Sequence, residues 1–129
     1  MKSPILRIAF VLLVAVGIAA CRSATVYNVT QANLNSSPKA SVAEISQSIK
    51  RAGAGLGWQI NEVSPGVLTG RLNLRTHMAL VDITHDTKTF SIRYKDSTNL
   101  DYTGSEIHSN YNGWIQNLEK AIVDHSSTI

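Results

Sequence analysis

The sequence has a single cysteine, Cys21, and it follows an uncharged apolar run from Ile8 to Ala20. One cysteine excludes an intrachain disulfide and any metal site built from several thiolates. The apolar run is also shorter than the roughly 20 residues that a membrane-spanning helix needs. Lys2 and Arg7 precede the run, and a basic flank with a short apolar core is typical of a secretory signal peptide. We therefore predict a signal peptide at residues 1–20, with an uncleaved membrane anchor as the alternative.

The residues before the cysteine resemble the bacterial lipobox, in which an aliphatic residue and two small residues precede a lipidated cysteine. The segment Ile18-Ala19-Ala20-Cys21 fits this pattern, although its first position is more often Leu. The resemblance implies cleavage before Cys21, a diacylglycerol thioether on its sulfur, and acylation of the new amino group, for instance by palmitate. Two or three acyl chains hold a protein stably on a membrane, because each buried methylene contributes about 0.8 kcal/mol. A lipidated Cys21 leaves no thiol for catalysis.

Charge of either sign is scarce, and the two signs nearly balance. The chain has 12 Lys and Arg against 9 Asp and Glu, and two of the basic residues lie in the predicted signal peptide. The chain from Cys21 onward therefore keeps 10 basic and 9 acidic residues, a formal charge of +1. This balance argues against a nucleic-acid partner, which requires a strongly basic surface. Residues 21–129 suffice for one domain with one core, and they show no internal repeat.

Two helices are predicted from the spacing of apolar residues. Ser41 and Glu44 have the spacing of a capping box, and apolar residues then recur at helical intervals until a glycine-rich segment at 53–57. Thr103 and Glu106 offer a second capping box before a second apolar helical face. That face is made by Ile107, Tyr111, Trp114, Ile115, Leu118 and Ile122. Residues 21–40 are predicted to be the lipidated N-terminus and a tether, with a short strand near Thr25–Thr30 as an alternative.

Between the two predicted helices, apolar and polar residues alternate with the period of a β-strand. The segment Pro65-Gly66 suits the central positions of a type II turn between two such runs. We predict an α+β fold for residues 41–125, in which an antiparallel β-meander of about four strands carries two helices on one face. This arrangement is a two-layer sandwich. The helices are expected to cover Leu72, Val81 and Ile92.

The uncovered face of the predicted sheet is the first candidate contact surface. Alternation places Arg71, Arg75 and Arg93 on this face. Because arginine binds carboxylates and phosphates through two parallel hydrogen bonds, the face could dock an acidic partner, lipid A or the carboxylates of peptidoglycan. The simpler interpretation is a solvated sheet face.

A polar and aromatic segment around the start of the second predicted helix is the other candidate. Its members are Asn99, Asp101, His108, Tyr111 and Asn112. Polar groups beside aromatic rings at a helix N-terminus can hold an anion or a sugar. Ser97, Asp101 and His108 are also the residue types of a hydrolytic triad, but no motif resembles a nucleophile elbow. The simpler interpretation is that these side chains order the loop and pack it down.

The histidines do not suggest a metal site. His77 and His85 lie at opposite ends of one predicted strand, which separates them by roughly 20 Å or more at 3.3 Å per residue. Two ligands of one ion must lie much closer than that. His85 is expected in a solvated turn, and His125 lies near the C-terminus of the last helix. We predict neither a cofactor nor a metal.

Several short motifs together resemble a family of small, uncharacterised proteobacterial lipoproteins. They are Gly57-Trp58, Pro65-Gly66, His77-Met78-Ala79, the run SIRYKDSTNL and the run IHSNYNGWIQNL. The family pattern G-W, P-G, I-x-Y-x-x-S-x-N-L and I-H-x-x-Y-N-x-W spans Gly57 to Leu118. The resemblance implies a Gram-negative envelope and assigns no catalytic role to any residue. Arg22, rather than the Asp associated with inner-membrane retention, follows Cys21, which implies the periplasmic face of the outer membrane.

From these observations we expect a lipid-anchored envelope protein that binds or scaffolds another envelope component. The membrane would be contacted through the N-terminal lipid, and the partner would be an envelope protein or peptidoglycan. The alternative is a small-ligand-binding or hydrolytic module that uses the Asn99–Trp114 segment. The sequence favours a protein without enzymatic activity over an enzyme, and it indicates no particular reaction class.

Overall fold

The computed structural model describes residues 22–129, so the predicted signal peptide and Cys21 lie outside the described residues. The elements follow in the order β1 (Ser23–Thr25), β2 (Val29–Asn33), α1 (Val42–Ala54), β3 (Trp58–Ser64), β4 (Val67–Leu74), β5 (His77–His85), β6 (Thr89–Thr98), β7 (Glu106–His108) and α2 (Ser109–Ser126). The main sheet has the strand order β2-β6-β5-β4-β3, and all its neighbours are antiparallel. Strands β1 and β7 form a separate two-stranded sheet. The predicted α+β fold is confirmed.

Helix α1 begins at the capping box that the sequence predicts. Ser41 Oγ accepts a hydrogen bond from the Glu44 backbone N–H at 3.1 Å, and Glu44 Oε1 accepts one from the Ser41 N–H at 3.2 Å. Two backbone donors at the helix start are thereby satisfied. Near the other end of α1, a Cβ atom on Gly53 would overlap the Ile60 side chain. Glycine at this position therefore lets α1 lie close against strand β3.

One hydrophobic core lies between the two helices and the inner face of the main sheet. The strands contribute Trp58, Leu68, Leu72, Ala79, Val81, Ile83, Phe90 and Ile92. The helices contribute Ile45, Ile49, Ala52, Tyr111, Ile115, Leu118 and Ile122. Because both sets belong to one cluster of buried side chains, the helices pack on the same face of the sheet, as predicted. Leu72, Val81 and Ile92 are all covered.

The main sheet has one strand more than the predicted meander, because β2 pairs with the free edge of β6. The Cα atoms of Val29 and Ile92 are partners in this pairing, and Val29 is buried. A register irregularity follows, where Gln31 adopts a positive φ of 50° and its N–H donates to Ser91 Oγ at 3.0 Å. The segment predicted as a tether therefore carries two strands. These strands are short and polar, and the pairing of β2 is irregular, so the alternation of apolar and polar residues in this segment does not clearly predict them.

Helix α2 begins later than the sequence predicts. Thr103 Oγ1 does accept a hydrogen bond from the Glu106 N–H at 3.1 Å, but this contact closes a loop rather than a helix. The reason is that Glu106–His108 pairs with Ser23–Thr25 and is therefore extended. His108 is the N-cap instead, and its Nδ1 accepts a hydrogen bond from the Asn110 N–H at 3.2 Å.

Candidate functional site

The sheet face away from the helices carries exposed polar and charged side chains on its central strands. We call the surface formed by Arg71, Leu80, Asp82, Arg93 and Lys95 the open sheet face. Strand pairing places Arg71 opposite Leu80 and Arg93 opposite Asp82. Lys95 Nζ lies 3.4 Å from Asp82 Oδ1 and so partners that carboxylate. Within residues 22–129, neither Arg71 nor Arg93 forms an ion pair, and Arg71 Nε only donates to Asn73 Oδ1 at 3.3 Å.

Lys95 lies on this face by ordinary alternation from Arg93, and a register irregularity in β6 brings the next residue, Asp96, to the same face. Leu80 pairs with Asp96 while the next residue, Val81, pairs with Tyr94, so Lys95 is an extra residue in β6. A bulge of this kind lets two consecutive residues share one face of a sheet. Asp96 therefore also borders the open sheet face, and its Oδ1 accepts a hydrogen bond from the Ser97 N–H at 2.8 Å. The face carries three cations and two carboxylates.

Arg75 does not belong to the open sheet face, contrary to the prediction from alternation. The pairing of β4 with β5 ends at Leu74 and His77, and Arg75 lies in the turn between them with a φ of 56°. A residue in a tight turn no longer follows the alternation of the strand, so the reason for assigning Arg75 to this face does not apply. The predicted surface of three arginines is therefore a surface of two.

Asn99 joins the loop after β6 to the turn between β4 and β5. Its Nδ2 donates to Thr76 Oγ1 at 2.8 Å, and its backbone carbonyl accepts from His77 Nδ1 at 2.7 Å. Both Asn99 and Asp101 have positive φ angles, 59° and 53°, which Asn and Asp tolerate better than other side chains. The Asn99 side chain is thus used to order the loop, and Asp101 is exposed.

Asn112 and Glu119 hold the N-terminal segment along helix α2. Asn112 Oδ1 accepts from the Tyr27 N–H at 2.9 Å, and Asn112 Nδ2 donates to the Thr25 carbonyl at 2.9 Å. The Tyr27 hydroxyl donates to Glu119 Oε1 at 2.6 Å. We call these four residues the N-terminal clamp. The hydrogen bond to Glu119 raises the pKa of Tyr27, and desolvation and repulsion by the carboxylate add to the increase.

Three tyrosines pack together beneath the loop. The Tyr94 and Tyr102 rings stack with their centroids 4.0 Å apart, and Tyr94 meets Tyr111 edge-on at 5.7 Å. Tyr111 is buried, and in the described part of the chain its hydroxyl has no hydrogen-bond partner. Burial raises the pKa of that hydroxyl far above its ordinary value. The Tyr111 side chain therefore acts mainly as a packing group.

The residue types of a hydrolytic triad do not form a relay. Ser97 Oγ is hydrogen-bonded to the Tyr94 hydroxyl at 2.7 Å, and His108 Nδ1 caps helix α2. Asp101 lies exposed in its turn. Each residue has its own local environment, and no hydrogen bond described between residues 22 and 129 joins any two of them. A relay needs the nucleophile, base and orienting group in hydrogen-bond contact.

A serine–histidine contact that sequence reasoning missed joins α1 to the end of β5. His85 is half-buried rather than solvated, and Ser46 Oγ lies 2.7 Å from its Nε2. The Asp86 carbonyl can only accept, so His85 Nδ1 donates to it at 2.9 Å and Nε2 accepts from Ser46. Ser46 is 1% exposed, which leaves no access for a substrate. The contact is a structural one, and only the position of Ser46 on the apolar face of α1 could have signalled it.

The described residues contain no group of three or more His, Cys, Asp or Glu side chains placed to hold a metal ion. Between residues 22 and 129, no helix combines the length and the apolar character that crossing a membrane would take. Comparison with known proteins found no match to a family model, to a curated protein or to a solved structure. Membership of the proteobacterial lipoprotein family therefore stays a prediction.

Proposed function

We propose that the protein is a lipid-anchored envelope protein that docks an acidic partner protein on its open sheet face. The observation that supports this most directly is that the charges of Arg71 and Arg93 are exposed and not neutralised by an acidic side chain among the described residues. Unpaired guanidinium groups are suited to two-pronged hydrogen bonds with a partner's carboxylates.

The spacing of the two arginines defines the partner that would fit. Arg71 and Arg93 lie on strands that flank β5, and their cross-strand neighbours Leu80 and Asp82 are two residues apart. With strands about 4.8 Å apart and about 3.3 Å per residue, the two Cα atoms are roughly 12 Å apart. The half-buried Leu80 lies between them. A partner with two carboxylates at comparable spacing and an apolar group between them would complement this face.

The proposed membrane attachment is supported by the sequence. Cys21 follows an apolar run and a lipobox-like segment, and Arg22 follows Cys21. We propose that Cys21 carries the lipid and that the domain faces the periplasm from the outer membrane. Intact-mass measurement of the protein purified from its host tests the anchor. An unmodified residue 21 with residues 1–20 still attached would refute it.

The alternative of a small-ligand or hydrolytic module has less support from the described residues. The side chains of Asn99, His108 and Asn112 are already engaged with backbone or side-chain partners inside the protein. Asn112, whose amide oxygen and nitrogen are both hydrogen-bonded within the protein, has little capacity left for a ligand.

A site-specific crosslinking experiment tests the docking proposal. A photo-crosslinking amino acid replaces Leu80 in the full chain, produced in its host, and a second protein carries it at Gln47 on the exposed side of α1. We expect a protein crosslink from position 80 and none from position 47. Arg71→Gln and Arg93→Gln should each weaken the complex about tenfold or more, because a charged hydrogen bond is worth about 1.5–3 kcal/mol.

The matched control is Arg51→Gln, which removes an exposed arginine from the helix layer and should leave the crosslink unchanged. Two results contradict the proposal. One is a crosslinked protein that persists equally in the Arg71 and Arg93 variants. The other is a crosslink from position 80 to peptidoglycan alone.

A further inference from the structure

The attachment point of the proposed lipid lies very close to the folded domain. Strand β1 begins at Ser23, so only Arg22 separates it from Cys21. Two consecutive Cα–Cα steps of about 3.8 Å limit the Cys21–Ser23 distance to roughly 8 Å. Ser23 pairs with His108, and the N-terminal clamp holds the following residues along α2. The chain therefore has no spacer between the lipid and the domain.

Hydrogen bonds and strand pairing show which end of the main sheet lies next to the start of strand β1. The His108 N–H donates to the Leu100 carbonyl at 2.9 Å, and Asn99 contacts Thr76 in the β4–β5 turn. We call this end of the molecule, with Arg22 and the β4–β5 turn, the anchor end. The opposite end carries the Pro65-Gly66 turn, whose Gly66 carbonyl accepts from the His85 N–H at 2.9 Å.

The anchor end exposes apolar side chains beside cationic ones. Leu74, the last residue of β4, is 44% exposed, and Leu56, just before β3, is 42% exposed. Leu56 and the half-buried Trp114 line a shallow cleft of about 60 Å³, and the Trp114 ring lies 6.3 Å from the His77 ring at the start of β5. Arg22 and Arg75 are exposed cations at the same end, and Asp101 is an exposed carboxylate there. Leucine, tryptophan and arginine are side chains that favour the headgroup region of a bilayer.

Resting on the lipid anchor proposed above, we propose that the anchor end lies directly on the phospholipid bilayer that holds the acyl chains. Leu56 and Leu74 would enter the headgroup region, and Arg22 and Arg75 would contact lipid phosphates. Because the link to the lipid is short, the contact between the anchor end and the bilayer is effectively intramolecular. A weak affinity of the anchor end for the bilayer is then enough to keep the domain on the membrane surface. Two independent features support occupancy of this surface by the bilayer: the single residue between Cys21 and strand β1, and the exposed apolar and cationic side chains of the anchor end.

This orientation deepens the proposed function, because it decides where the open sheet face points. Strand β4 runs from the opposite end at Val67 to the anchor end at Leu74, so the strands stand away from the membrane. The open sheet face is then roughly perpendicular to the surface of the bilayer. Arg71 lies three residues before Leu74, which places it roughly 10 Å further from the bilayer at about 3.3 Å per residue. The acidic partner would therefore be one whose carboxylates lie close to the same membrane.

Thiol labelling of the lipidated protein tests the orientation. A lipidated Cys21 has no free thiol, so one introduced cysteine can be labelled alone. Ser109→Cys places the label at the anchor end, and Ser64→Cys places it at the opposite end. Both serines are exposed, and neither side chain makes a hydrogen bond described in residues 22–129. An environment-sensitive fluorophore is attached to each full-length protein after mass spectrometry has confirmed the lipid.

The labelled proteins are reconstituted in vesicles of phosphatidylethanolamine and phosphatidylglycerol that carry a headgroup quencher. We expect at least twofold stronger quenching and a blue shift for the label at position 109, and a water-like signal at position 64. The double variant Leu56→Glu/Leu74→Glu should lower the quenching at position 109 at least twofold. The matched control Val63→Glu/Val67→Glu, at exposed apolar positions of the opposite end, should leave it unchanged.

The outcomes separate the two proposals. An unmodified Cys21 refutes the anchor itself. A lipidated Cys21 with equal quenching at positions 109 and 64 refutes the orientation and leaves the anchor intact. Strong quenching at position 109 that survives the Leu56/Leu74 double variant shows that the short link alone brings the domain near, which overturns the surface contact.

Discussion

Asn112 makes two hydrogen bonds across a separation of more than 80 residues, to the Tyr27 N–H and to the Thr25 carbonyl. Asn112→Ala removes both. At about 1 kcal/mol net for each hydrogen bond, the free energy of unfolding should fall by about 2 kcal/mol. Alanine returns up to roughly 0.7 kcal/mol through its higher helix propensity. The net loss is then about 1.5 kcal/mol, which corresponds to a decrease in Tm of roughly 6–12 °C for a domain of this size.

The matched control is Asn117→Ala, which changes an exposed asparagine of the same helix. No side-chain hydrogen bond of Asn117 is described between residues 22 and 129, so this variant should be slightly more stable than the wild type. The two variants therefore differ by about 2 kcal/mol, nearly all of it from the clamp. Urea denaturation of both variants gives this difference directly, provided that their m-values agree.

Amide hydrogen exchange locates the effect within the domain. In Asn112→Ala, the Tyr27 amide should exchange about tenfold faster or more than in the wild type, since each 1.4 kcal/mol is a factor of ten. The Val81 amide in the central strand should change only as far as global stability changes. Unaltered protection of Tyr27 together with unaltered stability would refute the reasoning, and would mean that the β1–β7 pairing alone holds the N-terminal segment.

Two further predictions concern stability. Gly113→Ala should raise the free energy of unfolding by about 1 kcal/mol, because a Cβ atom at this position meets no atom within 4 Å. Gly53→Ala should lower it, because a Cβ atom there overlaps the Ile60 side chain. Thermal denaturation in which Gly53→Ala is the more stable variant would contradict both expectations. The Tyr27 pKa is raised above its ordinary value of 10.0, so the stabilisation by its bond to Glu119 is complete below pH 10 and is lost as the pH rises through the raised pKa. Denaturation at a series of alkaline pH values should show this fall in the wild type and a smaller one in Tyr27→Phe, and equal slopes would argue against it.

The parts of the fold that the sequence predicts well depend on neighbours close along the chain. Ser41 and Glu44 are three residues apart, and they cap α1 as their spacing predicts. The alternation through β4 and β5 correctly identifies Leu72 and Val81 as buried. Such patterns are readable because helical and strand periodicities are properties of a single segment.

The errors arose where two distant segments meet. Thr103 and Glu106 have the spacing of a capping box, yet pairing with Ser23–Thr25 draws Glu106 into a strand. Ser46 and His85 are 39 residues apart, and no local pattern predicts that they share a hydrogen bond. A side chain's polar partners depend on the register between elements, which a single segment does not encode.

The sequence by itself determined the class of fold and the two layers, because local periodicity decides which face of each element is apolar and must be buried. It also singled out Cys21 as the residue on which a membrane attachment would depend. Only the tertiary structure decided which of the candidate polar residues are occupied. Asn99, His108 and Asn112 are engaged within the protein, while Arg71 and Arg93 form no ion pair among the described residues. The physical reason is that a polar group is free for a partner only when no other part of the folded chain has already satisfied it.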